Sequence, residues 1–245
     1  MRRVLAWLFA MVLLAGVPSV AFAEGVNQDT KTEAVEVAVE GDNTSESSLP
    51  AVGSTFAVAN NTYKVTSNDP KTVAFVRSTN AKSVIVPSTV QIGEQTYLVT
   101  EIASKAFAPA KKTLERVKIG KNIKVIGTSA FAGCRNLVGV SGGSNVTIIK
   151  AKAFLGCKKL KKCVPFSSKV LVKVGKNAFK GTKKLNKLTV KSKLLKKKAV
   201  KGSLKGSSVK TIKVSVGAKN INKKYVKKYR KIFAKKNSGK KVKVK

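Results

Sequence analysis

Histidine is absent from all 245 residues, so the side chain that most often moves protons near neutral pH is missing. Beyond residue 48 the only carboxylates are Asp69, Glu94, Glu101 and Glu115, and their placement offers no facing pair for glycoside hydrolysis. Serines are plentiful, yet no Gly-x-Ser-x-Gly elbow and no supported Ser-x-x-Lys stands among them. Gly120-Lys121 and Gly175-Lys176 are each followed by Asn rather than Ser or Thr, which excludes a phosphate-binding loop. Cys134, Cys157 and Cys163 are too few for a disulfide framework and form no Cys-x-x-Cys. Without histidine they also make a poor zinc set. The expectation is recognition rather than turnover: no enzyme, no cofactor and no metal.

What the chain has in abundance is cationic charge. Fifty Lys and Arg face eleven acids, for a net charge of +39. Seven of those acids lie between residues 24 and 48 beside one Lys, whereas after Glu115 no acid follows and 40 Lys and Arg do. Such a surface attracts polyanions, although a solvated coat that merely keeps the chain dissolved is the plainer alternative. Lysine far outnumbers arginine, which favours point-charge attraction over bidentate phosphate recognition. Teichoic acid, capsular or host sulfated glycans and nucleic acid all qualify on charge. Exposed aromatics for stacking bases are not evident, so sequence-specific nucleic-acid readout is not expected.

The segments that carry this charge differ in kind. Arg2 and Arg3, the apolar run Val4–Val17 and Ala21-Phe22-Ala23 before Glu24 have the layout of an export signal over residues 1–23. No cysteine lies near the cut to take a lipid, and no later stretch is long and apolar enough to span a bilayer. A secreted, extracellular protein associated with the cell wall is expected. Residues 24–50 are acidic, polar and poor in aromatics, as a disordered linker is. Residues 51–98 alternate in short runs (Phe56 and Val58, Tyr63 and Val65, Val73 and Phe75, Val84 and Val86), with Asn60-Asn61 between two of them, and predict a β-hairpin cap.

Residues 99–216 repeat. Ala106-Phe107, Ala130-Phe131, Ala153-Phe154 and Ala178-Phe179 recur after 24, 23 and 25 residues, and a weaker Ala199-Val200 follows after 21. An aliphatic stands four residues before each pair: Ile102, Ile126, Ile149, Val174, Leu195. Gly133, Gly156, Gly181 and Gly202 stand two residues after it, with Pro109 in the first copy. Downstream run Leu114/Val117/Ile119, Leu137/Val140, Leu160/Cys163, Leu185/Leu188/Val190 and Val209/Ile212/Val214. This period and strand-like core predict a β-rich leucine-rich-repeat solenoid of the α/β type, whose copies bury their apolar faces only by stacking. Residues 217–245 place Tyr225, Val226, Tyr229, Ile232 and Phe233 at helical spacing. Asn220–Asn222 offer an N-cap, Asn237-Ser238-Gly239 a stop, and the final Lys-Val-Lys-Val-Lys an edge strand. An amphipathic helix cap is expected there, with membrane binding as the alternative.

The pattern Ile-x-x-x-Ala-Phe-x-Gly-Cys-x-x-Leu-x-x-Val closely resembles the BspA-like leucine-rich repeats of bacterial secreted and surface proteins. Thr62–Thr66 and Tyr97–Ile102 look like the hairpin region that often precedes them. The resemblance implies adhesion or protein binding. The second copy departs from it at Ser141-Gly142-Gly143-Ser144, and the third at Pro165-Phe166, so the regularity of the strand ladder is open at both. Cys134 and Cys157 share one slot in consecutive copies: a column of buried thiols is one reading, a redox pair the other. Cys163 falls at an inward strand position.

If the strands form one face, the residues between inward positions point to solvent. Arg116 and Lys118, Lys161 and Lys162, Lys187, and Lys210 with Lys213 then stand in successive rows about 4.8 Å apart, suited to a flexible polyanion. The expected role is a non-catalytic secreted or cell-surface binding and adhesion module held to anionic wall polymers, meeting proteins or glycans through its repeats. The alternative is a secreted binder of nucleic acid or sulfated glycan with no wall role.

Overall fold

A computed structural model describes residues 49–245, so the expected export signal and nearly all of the acidic linker lie outside the described residues. The chain enters an antiparallel meander of β1 (Thr55–Val58), β2 (Asn61–Asn68) and β3 (Lys71–Arg77). The first connection is a tight one, with Ala59 and Asn60 at φ 48° and 60°. β4 (Ser83–Val86) follows, then a hairpin of β5 (Thr89–Ile92) and β6 (Gln95–Ile102), and β6 pairs in parallel with β3. This is the hairpin-built cap expected from the alternation of Tyr63, Val65, Val73 and Phe75, all buried.

From there each coil contributes two short strands: β7 (Arg116–Ile119) and β8 (Val125–Ile126), β9 (Gly139–Gly142) and β10 (Ile148–Ile149), β11 (Lys162–Cys163) and β12 (Lys173–Val174). The odd members stack in parallel on β4 and the even members on β6, giving two ladders whose inward residues meet in one continuous apolar cluster. The Ala-Phe pairs lie in the turn from an even strand to the next odd one. Phe107, Phe131, Phe154 and Phe179 stack there, and Phe75 of β3 extends the column, with successive ring centroids 5.4, 4.3, 5.1 and 5.3 Å apart. Each stacked pair adds about 0.5–1.5 kcal/mol beyond its buried area.

Backbone bonds set the register of this column. The N–H groups of Phe107, Phe131 and Phe154 donate to the carbonyls of Ala130, Ala153 and Ala178 in the next coil, and that of Phe179 to Ser203. The fifth copy is therefore Ser203-Leu204-Lys205-Gly206, not Ala199-Val200-x-Gly202. Two small-large pairs, each followed by glycine, compete in the sequence, and the coil chooses by its left-handed positions. Lys105, Ser129, Lys152 and Asn177 precede their Ala at φ 55–58°, and Gly202, at φ 66°, precedes Ser203 in the same way. Ala199-Val200 instead falls in a 3₁₀ turn, Lys198–Val200, packed beside β12.

The odd ladder is interrupted in the third copy. Pro165 has no N–H to give a strand neighbour, and Val164–Ser167 coils into a 3₁₀ turn that swings Phe166 into the core against Phe179 and Phe233. A third ladder begins beyond it, of β13 (Lys187–Val190), β14 (Thr211–Val214) and β15 (Lys243–Val244), all parallel. The second copy keeps its place despite its glycines, because Gly142 pairs with Ile119 and turns sharply at φ 71°.

The C-terminal segment closes the open end. Helix α1 (Lys219–Ile232) packs against β14 and β15, burying Tyr229 and Ile232 together with the following Phe233, and the Tyr229 hydroxyl donates to the Ser192 carbonyl. Its apolar stripe is thus covered by the solenoid. Among the described residues no helix is long and apolar enough to cross a membrane. The N-cap expected at Asn220–Asn222 is instead Ala218, with no side-chain cap. Asn222 sits one turn in, where its Oδ1 accepts from the Val216 and Gly217 N–H groups and fixes the loop ahead of the helix. The helix stops at Phe233, and Gly239 closes a separate turn, α2 (Lys235–Ser238). The edge strand expected in the final residues is β15.

Truncating the column is expected to be costly. Phe131→Ala should lower the unfolding free energy by about 3–5 kcal/mol and Leu204→Ala by about 2–5 kcal/mol in denaturant titrations. A small effect at Leu204 would contradict the register that puts Ser203-Leu204 in the column.

Candidate functional site

Strand alternation fixes which cations face water. In β7 the pattern is Arg116 out, Val117 in, Lys118 out, Ile119 in, and β4 repeats it with Ser83 and Ile85 outward. Pairing then aligns two rows across the odd ladder: Ser83, Arg116, Gly139 and Lys162 in one, Ile85, Lys118 and Ser141 in the other. Lys161 stands just ahead of Lys162, its N–H donating to the Val138 carbonyl. Of the expected residues, Arg116, Lys118, Lys161 and Lys162 come together here around one shallow trough. Its floor is β9, which carries only Gly139 and Ser141 outward, and Ile85, 64% exposed, lies along one side.

Lys187, Lys210 and Lys213 do not continue these rows. They belong to the third ladder, beyond the 3₁₀ turn at Pro165, so the single ladder of cations expected from the repeats is two separate patches. In the second, Lys187 pairs with Thr211 and Lys213 with Thr189, and the Lys210 carbonyl receives the N–H of Lys243. Lys243 and Lys245 join this patch through β15. The sequence shows those two lysines as a tail, and only the pairing of β15 places them on the same face. A further groove at a coil corner gathers Lys169, Lys191 and Lys193 beside exposed Leu194.

The charge on these surfaces is almost uncompensated. Residues 49–245 hold 47 Lys and Arg against four acids. Among the described residues one ion pair forms, Lys150 Nζ to Glu101 at 2.9 Å, on the even-ladder side of the molecule. Near the trough the acid is Glu115, one residue ahead of Arg116, whose backbone lies beside Lys82 and Val138. No three His, Cys, Asp or Glu side chains cluster as a metal set among the described residues.

The thiols are interior. Cys134 and Cys157 are fully buried and free, and their Sγ atoms donate to the Phe107 and Phe131 carbonyls at 3.8 and 3.1 Å. Ala110, Thr182 and Ser207 occupy the same slot in the neighbouring coils, also buried, so the cysteines belong to a column of small side chains. Burial pushes the Cys134 thiol up to about 12, offset in part by Lys111, and raises Cys157 well above the ordinary range. Cys163, inward on β11, is likewise raised by burial to about 12. Thiols held protonated in this way are poor nucleophiles.

Comparison with known proteins places the coils. A family model for the BspA type leucine rich repeat region matches residues 100–232 in 6 copies. Among solved structures the chain is similar to a leucine rich cell surface protein from Faecalibacterium prausnitzii, at 21% identity and a TM-score of 0.53, covering 69% of this chain and 46% of that one. It is also similar to a leucine-rich repeat protein from Bacteroides ovatus, at 23% identity and a TM-score of 0.50, covering 64% and 46%. At these identities the likeness is one of fold, and the chain spans about half the length of those two proteins. No curated protein matches it.

The buried thiols carry a pH signature. Their pKa values are raised on folding from about 9, so the stability they contribute is fully present below pH 9 and falls as the pH climbs toward 12. Denaturant titrations between pH 8 and 11 should show the unaltered chain losing stability relative to its Cys→Ser variants. At pH 8 the folded chain should leave a thiol reagent almost unreacted, and all three cysteines should react once it is unfolded.

Proposed function

The chain belongs to the family of BspA-type leucine-rich-repeat proteins, and on that basis we propose that it is a non-catalytic binding module working outside the cytoplasm. Its basic faces hold it to anionic wall polymers, and its repeats meet protein or glycan partners. The observation that carries this reading is the run of 40 Lys and Arg after Glu115 with no acid among them, part of it gathered on two strand faces. A solenoid needs charge to stay soluble, but mixed signs would serve that purpose without the self-repulsion. A surface of one sign is suited to a partner of the opposite sign. The signal-like residues 1–23 support export, and the similarly folded Faecalibacterium prausnitzii protein is a cell surface protein.

Arg116, Lys118, Lys161 and Lys162 form one anchoring patch in this reading, and Lys187, Lys210 and Lys213 the other. Lysine ammonium groups on flexible stems suit a polymer whose anions are irregularly placed. Binding of this kind weakens steeply with salt, because exposed charges are screened within about 8 Å at physiological ionic strength.

Retention of the full chain on purified wall sacculi, with and without their anionic polymers, tests the proposal across a salt series. Binding should be strong at low salt and fall steeply through about 0.15 M. It should also drop when the polymers are stripped and when Arg116, Lys118, Lys161 and Lys162 are all replaced by Ala. Retention indifferent to salt, or none at low salt, would overturn wall anchoring. Tighter binding to DNA or heparin than to wall polymer would point to a diffusible polyanion binder.

A further inference from the structure

The trough over β9 has a feature that charge alone does not explain. Gly139 occupies the centre of its floor, yet the fold has no need of a glycine there. A Cβ built on Gly139 approaches nothing closer than the Lys162 carbonyl oxygen, at 3.9 Å, and its φ lies outside the left-handed region. Gly142, three residues on, is the opposite case: its φ is 71°, and a Cβ would collide with the Ile119 carbonyl. A glycine inside a strand weakens it and leaves nothing to pack, and where no bend or clash requires it, it marks the close approach of something else.

With Gly139 bare and Ser141 small, the middle strand is an empty lane between Arg116 and Lys118 on one side and Lys161 and Lys162 on the other. Those flanks are two strand spacings apart, about 9–10 Å, which admits one extended polymer strand. We propose that this lane is a binding subsite for a single unbranched anionic glycan, with sugar rings lying over Gly139 and Ser141 and their sulfate or carboxylate groups reaching the flanking cations. The inference rests on the polyanion-binding role proposed above and assigns a ligand class to one of its patches.

Three observations favour a glycan over other polyanions. The floor is bare peptide at Gly139, flanked along β9 by the small Ser141, a surface for the C–H faces of sugar rings. It offers no aromatic on which a base could stack. The Ser141 hydroxyl donates to the Val117 carbonyl at 3.2 Å, so its oxygen is free to accept from a sugar hydroxyl.

Affinity of the full chain for a heparin-derived hexasaccharide and for inorganic polyphosphate of equal charge, measured by calorimetry at low salt, decides the matter. Gly139→Val fills the lane without removing a charge, and β-branched Val suits a strand, so its thermal melt should match the unaltered chain. Hexasaccharide affinity should fall about tenfold, as when a contact site loses its fit, while polyphosphate affinity stays unchanged. Ser141→Val, which fills the lane at the other outward position of β9, should weaken the hexasaccharide in the same selective way, and it keeps the test alive should Gly139→Val fold poorly. Equal losses for both probes, or no loss for either, overturn the glycan subsite while leaving salt-dependent wall anchoring intact. If the unaltered chain binds neither probe at low salt, the polyanion reading fails as well.

Discussion

Every part of this structure depends on ring stacking between successive coils. No coil has enough apolar surface to close a core alone, so Phe75, Phe107, Phe131, Phe154 and Phe179 lend each other the area that each lacks. Stacking at 4.3–5.4 Å sets the coil spacing to that of hydrogen-bonded strands, so rings and ladders reinforce one another. The turn before each ring from Phe107 to Phe179 accepts a left-handed residue, even a lysine or a serine, because the ring and its backbone bond hold the conformation in place. Move the rings and the outward lysines move with them.

The same arrangement explains how a chain so unbalanced in charge holds together. The cations stand outward on strands and turns, spaced by the coil rather than by one another, while the interior from Tyr63 to Val244 is one apolar cluster. Ion pairing contributes little, with Lys150–Glu101 alone among the described residues. The opposing terms are therefore a core that gains with each added coil and a surface repulsion that salt or a bound polyanion relieves.

The coils are legible in the sequence because their signal is periodic and uses two residue types that rarely coincide by chance. Where two small-large pairs compete, as at Ala199-Val200 and Ser203-Leu204, composition cannot choose between them. The choice rests on Gly202 taking the left-handed slot and on the Phe179–Ser203 backbone bond, and neither is visible in residue types. Asn222 misleads for a similar reason: a residue suited to capping a helix instead braces the loop ahead of it. Pro165-Phe166 does announce a disturbance, but its result, a divided ladder, depends on the core having room for Phe166. The trough lies further from view, since Gly139 is conspicuous only when the strands on either side are known to carry cations. Lys243 and Lys245 join a face only because the chain returns there after its helix.

The break at Pro165 has a consequence for valency. It turns what would be one long runway of cations into two pads on one compact unit, with folded coils rather than a linker between them. For a polymer long enough to touch both pads, the second contact is intramolecular and draws on a high effective concentration; for a fragment that reaches only one, that gain vanishes. On the polyanion-binding reading proposed above, a molecule built this way would weigh the length of its ligand as well as its charge.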